Sequence, residues 1–202
     1  MPAPMSKGER TRLSIIQAAG SLFIEQGYHA TSMRQIAHRA GLALGGIYNH
    51  FESKEQIFDH VLVEMHPYRQ VLDILLSAPR ENAERFIHDA AATAVKELVN
   101  RPDFLKLVFI ELSEFKGSHA PHLFREIFPK FSGTVGSYLA STNQVRDDLP
   151  LQAVLFSFLG MLFSYYLTVS VANQPGALPS APAALEHYLD ILMHGVLKAE
   201  KP

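Results

Sequence analysis

The chain has 202 residues, 48% hydrophobic and 19% charged, with a formal net charge of −2. That content supports a packed core and excludes both a disordered polyelectrolyte and a globally basic nucleic-acid coat. With no cysteine, a disulfide framework and thiolate metal sites are excluded as well, and a cytoplasmic location is expected. The charge is unevenly spread. From Met1 to Phe51, Lys7, Arg10, Arg12, Arg34 and Arg39 stand against Glu9 and Glu25, a local excess of +3 suited to docking on a polyanion. The opening MPAPMSKGERTR carries no apolar run of the secretory type.

The predicted elements are helices throughout. "SKGE" (Ser6–Glu9) is a capping box, in which the serine hydroxyl takes an orphan amide and the glutamate reaches back. Leu13, Ile16, Gly20 and Phe23 then recur at helical spacing, and Gly27 is expected to end the helix in a left-handed conformation. Thr31 or Ser32 caps a second helix, Ser32 pairing with Gln35, and Gly41 stops it after about two turns. A short segment, Ala43 to His50, leads to a third box at Ser53–Gln56. Ile57, Phe58, Val61, Leu62 and Met65 follow on one face, and Pro67 kinks or ends that helix. A short helix, a glycine turn and another short helix form a helix-turn-helix.

Further on, Ala83, Ile87, Ala90, Ala94 and Leu98 predict a helix ending near Arg101, and Pro102 suits the first position of the next. Asp103–Phe115 is apolar on nearly all sides and is expected to be buried. Gly117–Pro121 reads as a loop, and Pro129 interrupts the helical pattern that follows. No charged residue occurs from Leu149 to Leu185, and Ala153–Ala172 meets the length of about 20 residues that spans a bilayer. Ser157, Ser164, Tyr165, Tyr166, Thr168 and Ser170 dilute that stretch, and no Lys/Arg cluster flanks it. A dimer-interface or core helix accounts for it equally well. After "QPGALPSAP", Leu185, Leu189, Leu192 and Val196 mark a last amphipathic helix.

Gly27 to Leu62, "GYHATSMRQIAHRAGLALGGIYNHFESKEQIFDHVL", resembles the DNA-binding domain of the tetracycline-repressor (TetR) family. Gly27-Tyr28, Thr31-Ser32, Ile36-Ala37, Ala40-Gly41, Gly45, Ile47-Tyr48, His50-Phe51 and Ser53-Lys54-Glu55 carry the resemblance. It implies an all-α fold with an N-terminal three-helix helix-turn-helix domain (1–66). A C-terminal helical domain (67–202) would bind a small effector and dimerise. It further implies a homodimer through the helices near 151–173 and 183–199, operator DNA as partner, no membrane, and a repressor released by its effector.

By that resemblance Tyr48, His50 and Lys54 match positions that touch the DNA backbone. Thr31 and Ser32 stand at a helix N-terminus, where free amides favour a phosphate. Lys7, Arg10 and Arg12 are candidate further contacts from the N-terminal arm, or else a solvated helix start. Base readout falls to Arg34, Gln35, Ala43, Leu44, Gly45 and Asn49, with Asn49 suited to an adenine edge and Leu44 to a thymine methyl. Ala43 departs from the family's usual Ser or Thr and forgoes a cap worth about 1 kcal/mol. Gly45 and Gly46 each cost roughly 1 kcal/mol against alanine in a helix.

For the effector, Phe86, Phe104, Phe109, Glu111, Phe115, Phe128, Phe163 and Tyr166 are candidate pocket residues, which favours an apolar or aromatic ligand. Glu111 is either a polar anchor or, the preferred reading, a solvent-facing residue. His119 and His122 lack nearby carboxylate or cysteine partners in the sequence, so no metal site is expected. Gly45-Gly46 match no nucleotide-binding loop, no catalytic motif stands out, and no cofactor is implied. A membrane-associated helical protein and an α-helical enzyme are the alternatives from other classes.

Overall fold

The computed structural model describes residues 5–66, 68–77, 82–172 and 182–197. Among them the architecture is all-α, and the only ladder-type pairing is an isolated antiparallel bridge between Val145 and Leu197. The expected kink at Pro67 and the linker at 174–181 lie outside the described residues.

Helix α1 (Lys7–Gln26) starts at the predicted box: the Ser6 side chain takes the Glu9 amide and Glu9 answers to the Ser6 amide at 2.7 Å. Gly27 ends it with φ 85° and ψ 166°, a positive φ but an extended rather than left-handed helical conformation. Helix α2 (Met33–Arg39) is capped by Ser32, with the Gln35 box complete. Gly41, at φ 71°, turns the chain into α3 (Leu44–Tyr48). Helix α4 (Lys54–Met65) is capped by Ser53. Here the expected box is altered: the Gln56 backbone N–H reaches Ser53 Oγ, but Gln56 Oε1 accepts from Glu52 N at 2.8 Å. Next come α5 (Tyr68–Ser77), α6 (Ala83–Val99), α7 (Pro102–Glu114) and α8 (Ala120–Phe131). The interruption at Pro129 takes the form of a widened π turn at Ser132–Gly136, leading into α9 (Ser137–Thr142). Helices α10 (Leu151–Ala172) and α11 (Pro182–Val196) close the chain.

Packing divides the chain into two compact units that do not follow chain order. The first comprises the residues up to His66 together with Pro102–Ile127; the second comprises 67–101 and everything from Phe128. The segment 102–127 therefore packs with the N-terminal helices, a feature that a division at residue 66 leaves out.

The first unit is built on α1 against α4. Ile15, Ala19, Phe23, Ile57, Phe58, Val61 and Leu62 are buried there, and a side chain at Gly20 would run into Met65 and Val61. Leu107 of α7, fully buried, joins this core. Phe115 completes an aromatic cluster, stacked at 4.9 Å on Phe58 and edge-on at 4.7 Å to Tyr28. Not all of α7 is buried as expected. Phe109 and Leu112 are 45% and 51% exposed, because a single helix face meets α1 and α4.

In the second unit, Phe86, Ile87, Ala90, Ala91 and Ala94 of α6 pack with Tyr138, Leu139, Val154, Leu155, Leu162 and Leu189. Leu151 packs so closely on the π turn that a Cβ at Gly136 would overlap it.

Candidate nucleic-acid interface

The two short helices are held in different ways. Helix α2 rests on its capping box and on buried Ile36 and Ala37. The turn is fixed by backbone bonds from Ala40 N to Ile36 O at 2.9 Å and from Leu42 N to Ala37 O at 2.8 Å. Helix α3 has no side-chain cap at Ala43, and Ile47 is its one buried residue. One anchor on a five-residue helix leaves its other side chains outward. Leu44 is 40% and Tyr48 53% exposed; Ala43, Gly45 and Asn49 are exposed as well. Tyr48 is thus a surface residue, which for an aromatic is informative.

The remaining predicted contacts fall into two groups. Arg34 and Ser32 are exposed beside α3 on the same helix-turn-helix. Gln35 is also exposed, but its side-chain oxygen is engaged by Ser32 N and Ser32 Oγ, both at 2.8 Å, leaving its amide nitrogen outward. Thr31 is 2% exposed and its hydroxyl donates to Gly27 O at 2.8 Å, so its side chain is committed inside the fold. His50 is half-buried, and its carbonyl accepts from Arg12 at 3.0 Å.

Lys54 is a structural tie in this structure. Its Nζ donates to the carbonyls of Tyr28 and Thr31, each at 2.7 Å, and lies 4.1 Å from the Tyr28 ring centroid. Burial lowers its ammonium pKa, while the Glu114 carboxylate acts in the opposite direction. An ammonium has three donors, so one N–H is left for a phosphate. Arg12 departs further from expectation. Its guanidinium covers the Phe51 ring at 4.2 Å and meets His60 at 2.6 Å, so it is an internal group and not part of a free arm.

The candidate effector residues are split between the units. Phe104, Phe109, Glu111 and Phe115 belong to the first; Phe86, Phe128, Phe163 and Tyr166 belong to the second. Phe86 faces Tyr138 at 4.4 Å in the core, Phe104 meets His66 at 4.9 Å, and Phe128 stacks on Phe156 at 5.9 Å. Phe163 is half-buried. The solvent-facing expectation for Glu111 is corrected. It is 5% exposed and accepts from His119 N and His119 Nδ1, both at 2.7 Å. The pairing spans eight residues across the α7–α8 turn, beyond the reach of any local sequence pattern. His122 Nδ1 lies 2.7 Å from Asp59 Oδ2 instead of beside His119's partners. Among the described residues no group of three or more His, Cys, Asp or Glu is placed to hold a metal.

Tyr166 does line an apolar cleft in the second unit, with Val95, Leu98, Leu162, Tyr165 and Val169. The cleft is a narrow surface groove with no room for even a water-sized sphere, far short of the ~300 Å³ at which small-molecule pockets begin.

Comparison with known proteins places this geometry. The family model for bacterial regulatory proteins of the tetR family matches residues 15–61. The transcriptional repressor KstR2 of Rhodococcus jostii is 42% identical over 74 residues, covering 37% of this chain and 32% of that protein. KstR2 of Mycolicibacterium smegmatis is 36% identical over 81 residues, covering 38% of this chain and 40% of that protein. The chain thus spans well under half the length of these curated relatives. Over nearly its whole length the likeness is one of fold. NalD, the secondary repressor of the MexAB-OprM multidrug efflux pump in Pseudomonas aeruginosa, aligns with a TM-score of 0.64 at 23% identity, covering 95% of this chain and 99% of NalD.

Proposed function

We propose, from the premise that this chain belongs to the TetR family of bacterial regulatory proteins, that it is a transcriptional repressor released from operator DNA by a small apolar or aromatic effector. It is a DNA-binding regulator and not an enzyme. The observation that carries the reading is α3: a helix with one buried anchor and an outward face of Leu44, Tyr48 and Asn49, lying within the matched segment. Tyr48, the Lys54 ammonium and His50 grip the phosphates, and Arg34, Leu44 and Asn49 are the side chains left to read bases. With Ala43, Gly45 and Gly46 adding no reach, sequence-dependent shape carries a larger share of the readout.

Residues 1–66 form the DNA-binding domain in this reading, and 67–202 bind effector and dimerise. The cleft lined by Tyr166 and Val95 is the candidate effector entrance, and it has to widen to admit one. Dimerisation through α10 and α11 covers Phe156, Leu159 and Ile191, which are 50%, 46% and 74% exposed on one chain. Leu151–Val169 is also long and apolar enough to cross a membrane, at mean hydropathy 1.5, and only 28% of that span is buried. Covering by a second copy accounts for the same surface and keeps the protein cytoplasmic. Fractionation separates the two, since recovery in the membrane pellet removes the dimer explanation.

The deciding experiment is a binding assay on the DNA upstream of the protein's own gene, repeated with candidate hydrophobic compounds. Expected is a shift at a palindromic site with half-sites a whole number of helical turns apart, reversed by an active compound. Failure to shift any neighbouring promoter would overturn the reading. Coupling is reciprocal, so operator DNA should weaken compound binding by the same factor.

A further inference from the structure

Arg12 stands on α1, far in sequence from the recognition helix, yet it reaches the point where that helix ends. Its Nη1 donates to His50 O at 3.0 Å, and its guanidinium lies 4.2 Å from the Phe51 ring centroid. His50 N and Phe51 N both bond to Ile47 O, so His50 O is the exit carbonyl of α3. The other arm of the fork, Nη2, is 2.6 Å from His60 Nε2 on α4. A guanidinium only donates, so Nε2 must be the bare, accepting nitrogen and the imidazole proton must sit on Nδ1. The contact therefore exists only with neutral His60.

We propose that Arg12 is a positioning residue for the recognition helix rather than a DNA contact, aimed by neutral His60, and that protonating His60 releases the strap and weakens operator binding. The proposal rests on the repressor reading above. A protonated His60 would place two cations 2.6 Å apart with no lone pair between them, and the arginine must swing away. The His50 carbonyl loses its donor in the same motion, and α3, which has no cap and one buried side chain, loses a restraint just beyond its C-terminus.

The groups facing His60 come from three helices. Arg12 approaches from α1. Asp59 precedes it on α4, and its carboxylate lies 2.7 Å from His122 Nδ1. From α8, the His122 ring is 5.8 Å away, and Glu126 adds a distant negative charge. Burial and the Arg12 charge keep the His60 pKa below the ordinary imidazole value, with Asp59 and Glu126 acting against them.

The test is an operator titration at pH 7.5 and 5.0, each at several salt concentrations, with wild type, Arg12→Lys, Arg12→Gln and His60→Gln. Glutamine places a non-titrating acceptor within reach of Arg12. Both Arg12 variants should lose on the order of tenfold in affinity at pH 7.5, because lysine keeps the charge but not the fork. Their salt slopes should match wild type, whereas loss of a phosphate contact lowers the slope by about one. His60→Gln should bind like wild type at pH 7.5 and several-fold more tightly than wild type at pH 5.0. Every other effect of acid acts on both proteins alike, so the difference between them is the readout. A slope reduced by about one in Arg12→Gln, full affinity in Arg12→Lys, or identical pH profiles for wild type and His60→Gln would each overturn the proposal. Thermal melts at both pH values verify folding. If wild type binds no operator at all, the repressor reading fails instead. The strap is then judged by the His60 titration in NMR, which must move upward in Arg12→Gln and overturns the proposal if it does not.

Discussion

The two units of this chain are both built of helices but differ in what ties those helices together. The first is tied by named polar contacts: three serine caps, the Lys54 bonds to Tyr28 and Thr31, the Arg12 fork and the Glu111–His119 pair. The second has polar ties of its own, among them the Asn82 cap, Ala83 N to Gln144 Oε1 at 2.6 Å and Arg146 Nη1 to Gly195 O at 3.1 Å, but its centre is an apolar core around α6 and α10, and it leaves Phe156, Leu159 and Ile191 exposed. Directional bonds fix the geometry of a surface that must match DNA. Non-directional packing would tolerate the repacking that the proposed effector and second copy would demand. The contrast predicts which changes each unit tolerates.

The largest effect tests whether the two cores are energetically distinct. Phe58 and Phe86 are 0% and 2% exposed, one in each core. Truncation to alanine should cost about 3–5 kcal/mol in either case. Hydrogen exchange should show protection lost first in α1, α4 and α7 for Phe58→Ala, and first in α6 and α10 for Phe86→Ala. Uniform loss throughout the chain in both variants would mean one cooperative body, and the division would have no energetic content.

Acid should act on the first unit through a buried histidine. Burial lowers the His66 pKa from 6.5 to about 4. The native state then binds fewer protons than the unfolded chain between those values. The contribution of His66 is fully present above pH 6.5 and is lost as pH falls toward 4, roughly 3 kcal/mol in all. His60, shifted in the same direction, adds to the loss. Denaturant titrations across that window should be distinctly flatter for His66→Gln, and a variant as acid-sensitive as wild type removes His66 from the account.

Lys54 tests whether a residue can serve both fold and DNA. Lys54→Met keeps the stem over Tyr28 and deletes two charge-assisted bonds, so about 2 kcal/mol of stability should go. If its third N–H also reaches a phosphate, affinity falls for every DNA sequence alike and the salt slope drops by about one. An unchanged slope assigns the residue to the fold alone.

What could be read from the sequence follows the range of each interaction. The Ser6, Ser32 and Ser53 caps act over three residues, and Gly41 acts at a single φ angle, so all four were legible. The Arg12 and Lys54 bonds span 23 to 48 residues, and nothing local distinguishes a lysine that meets a carbonyl from one that meets a phosphate. Membership of 102–127 in the first unit was hidden for a similar reason. An apolar run such as "DFLKLVFIELSEF" specifies burial, while its partner is set by the fold of distant helices. Glu111 shows the converse failure, since its partner lies beyond helical periodicity.

The smallest effect concerns the least furnished part of the interface. Gly45 and Gly46 sit in α3 with ordinary helical backbone; a Cβ on Gly45 would meet nothing, and one on Gly46 only Leu42 Cβ at 3.9 Å. Neither is required by the first unit's packing, so Gly45→Ala should raise stability by up to about 1 kcal/mol, opposite in sign to the loss of about 1 kcal/mol from Ser32→Ala. If the bareness serves close approach to the duplex, the same variant binds operator more weakly while melting at a higher temperature. Affinity that rises along with stability would instead show that α3 is limited by its own disorder, and that the glycines contribute nothing to telling one DNA sequence from another.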